Sequence, residues 1–97
     1  MNYRFHPDAA SEHLETVAYY ENVRPGLGAR YLAEFERILA KVSRPPKRYP
    51  IVREPGIRRI RLQRFPFTIL FRELDGAVEI LAVSHYRRRP DYWSGRL

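Results

Sequence analysis

The sequence predicts an α+β domain in which a short strand and a helical hairpin pack on a small, mostly antiparallel sheet, in the order β-α-α-β-β-β. Three observations predict it. Two stretches between Pro7 and Val42 carry apolar residues at helical spacing, and the breaker-dense N-V-R-P-G-L-G (22–28) separates them. Residues 57–64 alternate in polarity, as a half-buried strand does. Two largely apolar runs, 67–74 and 78–85, flank Asp75-Gly76, a strong hairpin signal. Ninety-seven residues suit one domain with a single core, spanning 1–97.

Tyr3 to Phe5 alternates and predicts the first strand; Pro7 ends it and suits the first turn of a helix. Asp8 and Glu12 then lie near the positive end of the helix dipole. Ala10, Leu14, Val17 and Ala18 form the expected apolar stripe of helix one, with Glu12, Glu15 and Glu21 on the other side. Helix two is expected from about Leu27 to Val42, with Tyr31, Phe35, Ile38, Leu39 and Val42 inward and Arg30, Glu34, Arg37 and Lys41 outward. A tight connection makes the pair an antiparallel hairpin. Ser43 to Gly56 holds four prolines and four positive charges, so it is expected to be an irregular loop, long enough to suggest a function. In the first strand of the next group Ile60 and Leu62 share one face, with Arg59, Arg61 and Gln63 on the other. Phe65-Pro66 turns a corner, and the two apolar strands read as central strands. Pro90 to Ser94 is expected to add a helical turn that folds Tyr92 and Trp93 back onto the sheet.

Composition narrows the function classes. There is no cysteine, which rules out disulfides and thiolate metal sites. The start, M-N-Y-R-F-H-P, lacks the apolar run of a secretion signal, and no stretch approaches a membrane span, so a cytoplasmic protein is expected. The net charge of +7 is unevenly placed. Residues 1–43 hold five basic and six acidic side chains, whereas residues 44–64 hold eight basic ones against Glu54 alone. Arg87, Arg88, Arg89 and Arg96 add a second basic block near the end. Two such blocks suggest a nucleic acid or an acidic protein as partner.

No glycine-rich phosphate loop and no G-x-S-x-G elbow occurs, and His6, His13 and His85 lack metal-ligand spacing. No cofactor is expected. What remains is a cationic and phenolic set: Arg59 and Arg61 on a strand face, then His85, Arg87, Arg88 and Tyr92. Converging, these would suit metal-free RNA cleavage, where one group removes the 2′-hydroxyl proton and another protonates the leaving oxygen. His85 is the natural base or acid, while Tyr92 could serve only with a lowered pKa. Arg59, Arg61 and Arg87 could clamp the phosphate. Packing and backbone hydrogen bonding are the alternative roles of His85, Tyr92 and Trp93.

The chain resembles the RelE/ParE superfamily of toxins from type II toxin–antitoxin pairs. The resemblance lies in Pro7 after a short strand, A-Y-Y-E (18–21), G-L-G-A-R-Y-L-A-E-F (26–35), the proline-rich connection, R-R-I-R-L-Q-R-F-P-F-T-I-L-F-R (58–72) and I-L-A-V-S-H-Y-R-R-R-P-D-Y-W (80–93). It covers almost every expected element in order. The F-P-F strand and the H-x-x-R-x-P-x-Y-W ending resemble ParE-type members more closely. The resemblance implies a growth-inhibiting toxin, neutralised by an antitoxin that packs along its helices and sheet. Three functions stay open: a ParE-like toxin that binds a macromolecular target such as DNA gyrase, a RelE-like ribosome-dependent mRNA endonuclease, or an inactive member that only binds antitoxin. For the nuclease, Tyr92 and Arg61 fall near positions where some superfamily nucleases carry a functional tyrosine and a strand arginine. For target binding, Arg59, Arg61, Arg87 and Arg88 are the expected contacts.

Overall fold

A computed structural model describes residues 3–42 and 49–97. The chain runs β1 (Tyr3–Phe5), α1 (Pro7–Val23), α2 (Leu27–Val42), β2 (Ile51–Arg53), β3 (Ile57–Arg61), β4 (Phe67–Leu74), β5 (Ala77–His85) and a closing 3-10 turn, Tyr92–Arg96. The five strands form one sheet in the order β1-β5-β4-β3-β2. Only β1 pairs in parallel, with β5; the other pairs are antiparallel. The expected β-α-α-β-β-β order therefore holds with one additional strand. Ile51–Arg53 lies inside the segment expected to be an irregular loop, and it pairs with β3 despite the flanking prolines. A proline is tolerated beside an edge strand, where a missing N–H interrupts no ladder. Residues 43–48 of that loop fall outside the described residues.

Pro7 starts α1, and the His6 ring nitrogen Nδ1 accepts the Asp8 amide as a cap. The buried residues of α1 are Ala9, His13 and Thr16; of the expected Ala10–Leu14–Val17–Ala18 stripe Val17 packs against the core, while Leu14, 68% exposed, and Ala18 face outward. Sequence pattern fails here because the buried positions include two polar residues whose needs are met internally. Thr16 Oγ1 donates to the Glu12 carbonyl, and His13 Nδ1 lies 3.2 Å from the Tyr31 hydroxyl. The helices approach so closely at their junction that a Cβ on Gly28 would stand 2.7 Å from the Val17 carbonyl oxygen. Glu21 reaches across and accepts the amides of Gly26 and Gly28, capping the start of α2.

Glu34 corrects a second expectation. It is buried rather than outward, and its Oε2 accepts the amides of Gln63 (2.7 Å) and Arg64 (3.1 Å) after β3. Those amides belong to a turn with no ladder partner, so a carboxylate supplied from α2 replaces one. The Asp75–Gly76 turn has positive φ at both positions, as a type I′ hairpin requires.

The hairpin covers one face of the sheet. Tyr31, Phe35, Ile38 and Val42 meet Ile69, Phe71, Val78, Ile80 and Val83 there. On the opposite face a smaller cluster of Ile57, Leu70, Leu81 and Ala82 is closed by Trp93 and flanked by Tyr92, as expected of the C-terminal turn. The two faces exchange register at one point. Leu70 pairs with Ala82 but Phe71 pairs with Ile80, leaving Leu81 as the extra residue of a bulge.

Candidate functional site

The bulge decides where the expected site residues go. Before it, Val78 and Ile80 face the helices; after it, Val83 does. His85 follows Val83, pairs with Phe67, and meets that ring edge-on at 5.1 Å on the helical side. Unbroken alternation from Val78 would have put His85 on the other face, beside the strand arginines. Ser84 occupies that line instead, in register with Thr68 and Arg61. Arg59 lies in register with Leu70 and Ala82, so both arginines stand on the face that the helices leave open, as expected.

Arg59 and Arg61 border a groove of about 430 Å³ between β3 and the turn after β5. Arg88 and Arg89 line its far wall, and Asp91 is its one carboxylate. Arg61 sits over the half-exposed Tyr86 ring, 5.8 Å from its centre, and Arg88 stacks 3.8 Å above Tyr92. Among the described residues, ion pairs engage Arg4, Arg72 and Arg96, but none of these four groove arginines. Arg87 is exposed and lies outside the groove's lining. Thus Arg59, Arg61 and Arg88 converge, and Arg87 stands apart.

His85 borders this groove and a second one of about 480 Å³ on the helical side, walled by Glu15, Tyr19, Tyr20 and Phe67. Its Nδ1 accepts the Arg87 amide at 3.0 Å, the backbone role weighed for it from the sequence. Tyr92 does not meet the condition set for proton transfer. Its hydroxyl donates to Glu12 Oε2 at 2.7 Å, and burial together with that carboxylate pushes its pKa up to about 12. A phenol held this way stays protonated at neutral pH and is a poor base. No cluster of three or more metal-ligating side chains occurs among the described residues.

A family model described as the ParE toxin of type II toxin–antitoxin systems, parDE, matches residues 3–90. The chain belongs to the ParE toxin family. Among solved structures, the chromosomal ParDE toxin–antitoxin system from P. aeruginosa superposes with a TM-score of 0.74 at 19% identity, covering 88% of this chain and 95% of that one. At that identity the likeness is one of fold. No curated protein matches the sequence. No described helix is long and apolar enough to cross a membrane.

The C-terminal turn is organised by a residue with no sequence signal to single it out. Glu12, expected only to complement a helix dipole, is the hub of the C-terminal clasp. Its Oε1 accepts the Val83 amide and Arg96, and its Oε2 accepts Tyr92 and Arg96, all between 2.7 and 2.9 Å. Arg96 also donates to the Leu81 carbonyl. β1 ends at Phe5, opposite Ile80, so β5 beyond that point has no strand on this edge. Glu12 and Arg96 satisfy the backbone groups left there. Burial alone would raise the Glu12 pKa, but hydrogen bonds from Arg96, Tyr92 and Val83, with the Arg96 charge, carry it below the ordinary value. A carboxylate in the second turn of α1 and an arginine near the C-terminus carry no spacing signal that links them; only the fold does.

Proposed function

We propose that this chain is the growth-inhibiting toxin of a type II toxin–antitoxin pair, acting in the cytoplasm by binding DNA gyrase rather than by cleaving RNA, and neutralised by its cognate antitoxin. Family membership supports the toxin and antitoxin parts of this reading. The observation that carries the choice of binding over catalysis is the division of the site. The arginines gather on the open face, the Tyr92 hydroxyl is committed to Glu12, and the His85 ring packs on the helical side. Acid–base cleavage needs both a proton acceptor and a proton donor within reach of one phosphate. Arginines with no ion-pair partner among the described residues, beside an apolar floor, need neither to recognise a protein surface, where arginine is a frequent anchor.

Induction of the toxin in growing cells tests this. Plasmid supercoiling should collapse while translated transcripts remain intact, and co-expressed antitoxin should restore growth. The doubly substituted His85→Ala, Tyr92→Phe chain should remain toxic, whereas Arg59→Ala with Arg61→Ala should weaken it. A second reading, the ribosome-dependent endonuclease, draws on one observation: His85 and Arg61 border the same groove. Rapid loss of translated mRNA with normal supercoiling would replace the first reading by this one. Growth unaffected in either assay would leave an antitoxin-binding protein without a target.

A further inference from the structure

The open-face groove has a second property that gyrase binding does not require. Four arginines with no ionic partner among the described residues line it, and a half-exposed aromatic ring, Tyr86, stands among them with Arg61 over its face. The hydroxyls of Thr68 and Ser84 lie on the groove between the two walls. Two largely buried arginines are handled differently: Arg72 is matched by Glu79 and Arg96 by Glu12. Arginines left unmatched on opposite walls of one concave surface, with a single carboxylate between them, concentrate positive potential along a track. A track of guanidinium groups with an accessible ring beside it is the arrangement that holds an unpaired nucleic-acid strand: phosphates on the cations, a base stacked on the ring. Duplex DNA offers no free base face to such a ring.

We propose that the groove between β3 and the turn after β5 binds single-stranded nucleic acid, with Arg59, Arg61 and Arg89 on successive phosphates and a base stacked on Tyr86. The binding requires neither cleavage nor gyrase, although it shares Arg59 and Arg61 with the surface proposed above to contact gyrase. Arg61 serves both parts of the site, since it contacts the Tyr86 ring and stands in the phosphate row. The chemistry is common to DNA and RNA strands, because neither the phosphodiester nor the stacked face distinguishes them.

The test uses the full-length chain, without gyrase or ribosomes, and fluorescence anisotropy of labelled oligomers of about 20 nucleotides, which span the site sizes of known strand-binding folds. Oligo-dT, oligo-U and a mixed-sequence duplex are titrated across a salt series. The expected result is binding of both single strands, with the logarithm of affinity falling by about 0.7 per phosphate contact for each logarithm of salt. Arg59→Ala with Arg61→Ala should flatten that slope by about 1.4. Tyr86→Ala should leave the slope unchanged and weaken binding by about 5- to 150-fold, the range of one lost stacking contact. A difference between oligo-dT and oligo-U assigns the preferred strand. Three results overturn the proposal: no binding at low salt, duplex bound more tightly than either strand, or a Tyr86→Ala chain that binds as well as the parent. The last two would mark the groove as a general polyanion surface. Because gyrase is absent, each of these failures leaves the gyrase reading untouched.

Discussion

At position 12 a carboxylate does work that no neighbour in the sequence announces. Glu12 and Arg96 are each only 13% exposed in their side chains, and their contact is 2.9 Å with further hydrogen bonds to Tyr92 and the Val83 amide. Removing one partner of such a pair leaves the other charge buried and unmatched, which costs about 3–5 kcal/mol. Glu12→Ala should therefore lower the unfolding free energy by about that amount in urea titration. Replacing Arg96 by Met in the same chain should recover part of the loss, since no stranded charge remains. A loss below about 1 kcal/mol for Glu12→Ala would mean that the clasp behaves as an exposed pair. Other single residues were equally illegible. Glu34 has the charge and spacing of an outward residue, yet the two turn amides after β3 draw it inward. Arg59 and Arg61 were legible because strand alternation alone decides their face, and nothing interrupts β3.

Elements were more readable than the residues that join them. The bounds of α2 and β4 follow from periodicity, because a long apolar stripe or a central strand declares itself. α1 was legible as a helix but misjudged in rotation, since His13 and Thr16 face inward where Leu14 faces out. β2 was missed because three exposed residues between prolines carry no pattern, and only pairing with β3 makes them a strand. The bulge at Leu81 left no mark either, yet it sends His85 to the helical side and so divides the expected site. Two element-scale predictions follow from packing. Gly28→Ala places a methyl group against the fixed Val17 backbone, so the hairpin must spread, with an expected loss of about 1–3 kcal/mol in thermal or urea unfolding. A stability within about 0.3 kcal/mol of the parent would show that the helices separate freely. Trp93 closes the second cluster over Ile57, Leu70 and Leu81, with Tyr92 at its edge. Trp93→Ala should cost about 3–5 kcal/mol and expose that sheet face to a hydrophobic dye. Unchanged dye binding would indicate that Tyr92 covers the cluster unaided.

Over the whole molecule, charge and burial combine into one pH profile. Two buried ionisable groups face opposite problems. His13 lies among Phe5, Tyr31 and Phe35, and burial holds its pKa below the ordinary 6.5. In the unfolded chain it takes up a proton near that ordinary value, while the folded chain refuses it. The unfolded state therefore binds more protons just below pH 6.5, and stability falls as pH drops until the folded imidazole titrates as well. Glu12 also has a lowered pKa, beneath its ordinary 4.5. Its contribution is fully present above the unfolded value and is lost as pH falls through the folded one. Below that, eighteen lysines and arginines remain charged while eleven carboxylates and three imidazoles take up protons, so self-repulsion deepens the descent. The unfolding free energy measured by urea titration should thus decline in two stages, a shallow one beginning near pH 6.5 and a steeper one below pH 4.5. His13→Phe should remove the first stage and leave the second, since an apolar ring suits that aromatic pocket and does not titrate. A parent chain equally stable at pH 7 and pH 5.5 would mean that His13 accepts its proton in place, with Tyr31 as the hydrogen-bond acceptor that makes this possible.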